Sequence, residues 1–126
     1  KFVTEIYRIL KRNGTCIVTV PMACQIHAEP FDYFRFTRYG LEALFVKGGF
    51  EILKIQPLEG SYATIIQLYL VSVCESTGQQ HKLIRFIRKV QSWLVTPVLN
   101  FLALRFDALF YNQNLCLNYL LIARKK

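Results

Sequence analysis

The chain has only six glycines in 126 residues, and no two of them form a Gly-x-Gly. The tight turn that lets a backbone close on a dinucleotide is therefore missing, so this stretch does not carry a nucleotide-binding βα turn of its own. Its four cysteines, Cys16, Cys24, Cys74 and Cys116, form no Cys-x-x-Cys pair. Cys24 and His27 stand three apart, but two ligands do not make a zinc site, and no metal is expected. Three of the cysteines sit in apolar runs, which suits small buried hydrophobes in a reducing, cytoplasmic compartment. A secretory leader pattern is absent from the N-terminal stretch. No apolar run reaches the roughly 18–20 residues needed to cross a bilayer. The nearest, Tyr62 to Val73, is interrupted by Thr64, Gln67 and Ser72.

Acidic residues are scarce in one region only. Residues 1–77 hold eight basic and seven acidic side chains, whereas residues 78–126 hold eight basic and one acidic. The net charge of +8 is therefore a property of the C-terminal part, and it points to an anionic surface as partner. The chain opens at Lys1 inside an amphipathic pattern of Phe2, Val3, Ile6, Ile9 and Leu10, and its only methionine is Met22. A helix entered without a cap is expected to be a piece of a longer protein.

The periodicities give a short series of elements. Residues 2–11 read as a helix closed by Asn13-Gly14, residues that tolerate the left-handed conformation. Residues 15–20 read as a continuously apolar, β-branched strand, as expected of a parallel strand covered on both faces. Thr37 can cap a helix from Arg38 to Lys47, with Leu41, Leu44 and Phe45 as its buried stripe. Residues 50–56 read as a second strand ended by Pro57, and residues 117–124 as a third.

Between the second and third strands lie many apolar and basic residues. Ser61 to Glu75 reads as an apolar helix broken at Gly78. Lys82 to Val95 reads as another, with Leu83, Ile84, Ile87, Val90 and Leu94 on one side and Lys82, Arg85, Arg88, Lys89 and Ser92 on the other. Thr96-Pro97 is expected to start a third helix. A basic amphipathic helix with Trp93 near its apolar face fits an interfacial membrane helix. A surface helix of a soluble cap, burying its stripe against the third helix, fits the same periodicity.

The segment from His27 to Gly40 is the richest in chemistry. It follows a strand and precedes a helix, and in open α/β sheets the loops at the carboxyl ends of strands carry the ligand chemistry. Glu29 and Asp32 suit acid–base work, or they pair with Arg35 and Arg38 and fix the loop. Tyr33, Phe34 and Phe36 suit a pocket wall, and alternation places Phe34 and Phe36 toward the core, Tyr33 and Arg35 toward a cleft. Arg35 suits bidentate recognition of an anion. Arginines mixed with aromatics also suit stacking on RNA bases. Glu29 and Asp32 offset Arg35 and Arg38, however, which disfavours nucleic acid.

The same residues carry a resemblance. Residues 5–15, Ile17 to Pro21, the His27-Ala-Glu-Pro-Phe-Asp-Tyr-Phe-Arg-Phe-Thr37 loop and Leu41 to Phe50 resemble the second half of a class I S-adenosylmethionine-dependent methyltransferase. The match is to a bacterial subgroup with such a loop after the fifth strand. It covers residues 1–60 and the last ten residues, while residues 61–114 agree only in character. Arg12-Asn13-Gly14 stands where the family usually has Pro-Gly-Gly, and the family's cofactor-binding half is missing.

The resemblance implies an α/β fold: the C-terminal half of a Rossmann-like sheet over residues 1–60, a helical insert over 61–114, and a final antiparallel strand within 115–126. It implies methyl transfer from S-adenosylmethionine to a small-molecule or lipid- or saccharide-linked acceptor. His27 would serve as general base or as an orienting group. Glu29, Asp32, Tyr33, Arg35 and Thr37 would form the substrate loop, with no cofactor-binding residue in this chain. Lys82, Arg85, Arg88, Lys89 and Trp93 would meet an anionic membrane surface, which places the protein in the cytoplasm at the inner face of a membrane. The competing class is a non-catalytic membrane-surface or partner-binding module.

Overall fold

The computed structural model describes residues 1–26, 29–75 and 82–126, with only the backbone of residues 74, 75, 82–85, 87 and 88. The described residues form an α/β protein with four helices and a three-stranded antiparallel sheet. In chain order these are α1 (Phe2–Ile9), β1 (Thr15–Pro21), α2 (Arg38–Lys47), β2 (Phe50–Pro57), α3 (Ser61–Glu75), α4 (Lys82–Leu109) and β3 (Asn118–Lys125). They fall into two compact units. One comprises Lys1–Met22, Ile26–Leu58 and Leu117–Lys126, and the other Ala23–Gln25 and Glu59–Cys116.

The first unit is built on β3. The strand order is β1-β3-β2, and β3 is antiparallel to both neighbours. β1 and β2 therefore run the same way without touching, and the β1-α2-β2 crossover steps over one strand. The final strand runs antiparallel beside the second, in line with the expectation, but it also separates the first and second strands, which a direct βαβ crossover would make neighbours. Register is pinned by side chains on one face. Leu121 lies opposite Val18 of β1 and Ile55 of β2, and Tyr119 opposite Val20 and Pro57. With period-two alternation, Tyr119, Leu121, Ala123 and Lys125 share that face.

Val3, Leu41, Phe45 and Phe50 are buried with them. Tyr7 of α1 meets Phe50 edge-on at 5.3 Å, and Phe45 of α2 meets it at 5.4 Å. Lys125 ends the row. Its ammonium donates to the carbonyls of Tyr7 (2.6 Å) and Leu10 (2.9 Å) and lies 4.4 Å over the Tyr7 ring. A cation is well placed there, at the negative end of a helix whose last carbonyls lack helical partners. Asn13, at φ 62°, makes the left-handed turn out of α1. On the sheet margin Arg124 pairs with Glu51 at 2.8 Å, and this holds the Glu51 carboxyl below its ordinary range.

The opposite face corrects an expectation. β1 alternates between exposed and half-buried residues, and Ile17 is 68% exposed. The strand is covered on one face, not two, because α1 and α2 gather around Phe50 and leave the Ile17 side open.

The second unit is a pair of helices. Ser61, Thr64, Leu70, Ala103 and Cys116 are among its buried residues, and Tyr62 stacks on Phe106 at 5.5 Å. The N-terminus of α3 is closed from α4: the backbone N–H groups of Tyr62 and Ala63 donate to the two Asp107 carboxylate oxygens, each at 3.0 Å. Gly60 makes room for that carboxylate, since a Cβ there would stand 2.3 Å from Asp107 Oδ1. The expected helix start at Thr96-Pro97 is overturned. α4 runs unbroken through Pro97 over 28 residues. Proline costs the Trp93 carbonyl its helical partner, but contacts with α3 on both sides of Pro97, through Gln91 to Tyr69 and through Asp107 and Phe106, hold the two halves in one line. The expected break at Gly78 lies outside the described residues.

The open face of β1 makes a measurable contrast. Leu121→Ala, at a wholly buried position of the central strand, is expected to cost about 2–5 kcal/mol. Ile17→Ala is expected to cost less than about 0.5 kcal/mol, as for exposed positions. Urea unfolding followed by circular dichroism measures both. An equal cost at the two sites would mean that something covers the Ile17 face.

Candidate functional site

Residues 22–37 join the carboxyl end of β1 to α2. Both ends are tied down. The Phe36 N–H donates to the Pro21 carbonyl at 3.1 Å, and the Met22 N–H to the Leu117 carbonyl at 2.8 Å. Thr37 caps α2 in an extended conformation, its hydroxyl accepting from the Gly40 N–H at 3.2 Å.

The centre of the loop is an ion pair. The Arg35 guanidinium donates through Nη1 to Asp32 Oδ1 and through Nη2 to Asp32 Oδ2 at 2.7 Å. A further bond runs from Nη1 to the Phe34 carbonyl at 3.1 Å. The side chains are 26% (Arg35) and 9% (Asp32) exposed, so the pair is largely withdrawn from water. This is the fork geometry of a bidentate arginine–carboxylate contact. Of the two readings of Asp32, it favours fixing the loop. Arg35, expected to face the cleft, turns its fork onto Asp32.

The aromatics also depart from simple alternation. Phe31, Tyr33, Phe34 and Phe36 form a chain of ring contacts at 6.5, 6.4 and 5.9 Å, the last pair stacked. Phe34, expected in the core, is 69% exposed. The i,i+3 pairing of Asp32 with Arg35 folds the loop into a turn, so its side chains do not alternate as in a strand. Tyr33 and Glu29 are exposed. Phe34 and Phe36 wall a cavity of about 550 Å³ that is also lined by Phe2, Leu44, Lys1 and Lys47. The sequence does not single out Lys47 or Phe2 as site residues; only their places at a helix end and on an apolar stripe hint at them.

The described lining residues do not fit S-adenosylmethionine. They offer two lysines, which repel a sulfonium, and no carboxylate for ribose hydroxyls. Burial pushes the Cys16 thiol up, which leaves it a protonated, poor nucleophile at neutral pH. Among the described residues no three of His, Cys, Asp and Glu come together as a metal site.

His27, the general-base candidate, lies outside the described residues. So do the side chains of Lys82, Arg85 and Arg88. Lys89 and Trp93 are exposed on α4, and no described helix is long and apolar enough to cross a membrane. Comparison of the chain with protein-family profiles, curated proteins and solved structures gives no match.

The ion pair is testable by a double-mutant cycle. Arg35→Ala removes both fork bonds from the nearly buried Asp32 carboxylate, and Asp32→Ala removes the same bonds from the other side. A coupling energy of about 1–3 kcal/mol is expected from chemical unfolding. A coupling near zero would release Arg35 for an external anion.

Proposed function

We propose that this chain is part of an S-adenosylmethionine-dependent methyltransferase and holds the methyl acceptor, a small molecule or a lipid- or saccharide-linked group. Two geometric observations support the resemblance over residues 1–60 and the last ten residues. The last strand lies antiparallel against β2, as the C-terminal half of a Rossmann-like sheet requires, and the charged aromatic loop opens at the carboxyl end of β1. In this reading the Asp32–Arg35 pair is a positioning element. It sets the loop so that the exposed Tyr33 phenol and Glu29 carboxylate can hydrogen-bond acceptor hydroxyls. His27 stands in the same loop as the candidate base.

In this reading the cofactor is held elsewhere in the protein, so no step of the transfer itself is assigned to the described residues. Alignment of donor and acceptor supplies much of the rate in such reactions, and alignment is what a fixed loop provides. A second reading is a non-catalytic interaction module, favoured by the outward apolar face of α4 described below.

Two measurements test the proposal. The chain of 126 residues titrated with S-adenosylmethionine in a calorimeter is expected to show no micromolar binding. The protein encoded by the whole gene is expected to bind it and to transfer labelled methyl to a lipid or saccharide fraction. There, Tyr33→Ala is expected to raise KM for the acceptor without loss of stability. Whole protein that binds no S-adenosylmethionine would leave the interaction-module reading in place.

A further inference from the structure

The face that α4 turns away from α3 is apolar. Phe86, Val90, Trp93, Pro97, Phe101 and Leu104 recur at intervals of three and four, and all are exposed, Trp93 to 78%. The contacts to α3 come from other positions: Gln91 meets Tyr69, Phe106 stacks on Tyr62, Asp107 caps α3, and Ala103 is 2% exposed. The soluble-cap reading needed residues 82–95 to fold back on a separate third helix; one continuous helix cannot do so. Single exposed hydrophobics need no explanation, but a contiguous row marks an interaction surface.

Charge says what covers it. The helical period places Lys89 and Arg105 on opposite flanks of the row, both exposed. The Arg105 guanidinium lies 5.1 Å over the Phe101 ring, its stem along the apolar surface. Asp107 is the only acid in α4, and both of its carboxylate oxygens accept from the N-terminal N–H groups of α3. The one negative charge is thus turned inward and engaged at a positive helix end. An outward face that is apolar and tryptophan-bearing, and whose flanking charges among the described side chains are the cations Lys89 and Arg105, complements an anionic bilayer. A second copy of the same helix would bring like charges together.

We propose that α4 docks in the headgroup region of an anionic lipid bilayer, lying in its plane with the Phe86-to-Leu104 row inserted. The helix is about 42 Å long at the usual rise per residue, and it is not apolar enough to span. The proposal does not depend on the methyl-transfer reading.

Trp93 is the only tryptophan, so its emission reports insertion directly. The test uses the full chain with vesicles of phosphatidylcholine alone, or with about one-third phosphatidylglycerol. With anionic vesicles the chain is expected to sediment and its Trp93 emission to shift to the blue. With neutral vesicles both effects should be weaker, and added salt should weaken the anionic binding by screening. Lys89→Gln with Arg105→Gln is expected to lower affinity for anionic vesicles roughly 30-fold, at about 1 kcal/mol per basic residue. Phe86→Ser with Leu104→Ser should abolish the blue shift while leaving the circular dichroism unchanged. Three results overturn the proposal: chain left in the supernatant with anionic vesicles at low salt; binding indifferent to the Lys89 and Arg105 substitutions; or Trp93 emission already blue without lipid in a concentration-dependent oligomer.

Discussion

The first unit depends on its last strand. β1 and β2 share no ladder; every inter-strand hydrogen bond of the sheet is made with β3. The same strand brings Leu121 and Ala123 to the centre of the core and Lys125 to the carbonyl end of α1, 118 residues from Tyr7 in sequence. No sheet exists until the C-terminal segment arrives, and α1 lacks its cationic cap until then. Such a topology concentrates its contacts at long sequence separation, which slows folding more than it weakens the folded state.

The long excursion between β2 and β3 is compatible with that constraint because it closes on itself. The Ser61 N–H and hydroxyl both donate to the Asn112 carbonyl, at 3.2 and 3.0 Å, so the two ends of the helical pair are fastened together. Within the sheet unit, the Leu58 N–H donates to the Asn118 carbonyl at 3.1 Å, where the chain leaves β2 and re-enters β3. A folded insert whose ends meet can stand in for a tight turn. Even for a flexible loop, doubling the length costs only about 0.6 kcal/mol of closure entropy.

Elements with a local signal were legible in the sequence. Asn13-Gly14 marked the turn after α1, Thr37 marked the cap of α2, and Pro57 marked the end of β2, each because one residue's backbone or side-chain chemistry decides the matter. What the sequence left open depends on partners far away. The placement of β3 between β1 and β2 is a choice among pairings that hydrophobicity alone does not rank. The open Ile17 face was misread for the same reason: a continuous apolar strand records its own composition, not how many layers cover it. In the loop, alternation failed because Asp32 and Arg35 meet across three residues, and a bidentate contact outweighs the weak preference of Phe34 for the interior. Pro97 suggests a boundary because interior prolines are costly, yet α4 continues through it, with contacts to α3 on both sides.

The α4 case shows most clearly where periodicity stops. A stripe of apolar residues at helical spacing announces that one side of the helix differs from the other, but not which side faces the protein. That is settled here by the other stripe. Ala103, 2% exposed, is small enough for a neighbouring helix to approach, Phe106 stacks on Tyr62, and Asp107 supplies the acceptor that two N–H groups at the start of α3 require. An unsatisfied helix end is expensive and a close helix contact needs small residues, so these positions face inward. Phe86, Trp93 and Phe101 face outward by exclusion. The chain thereby spends its only acid in α4 on internal structure, and the charge left at the surface of that helix is positive.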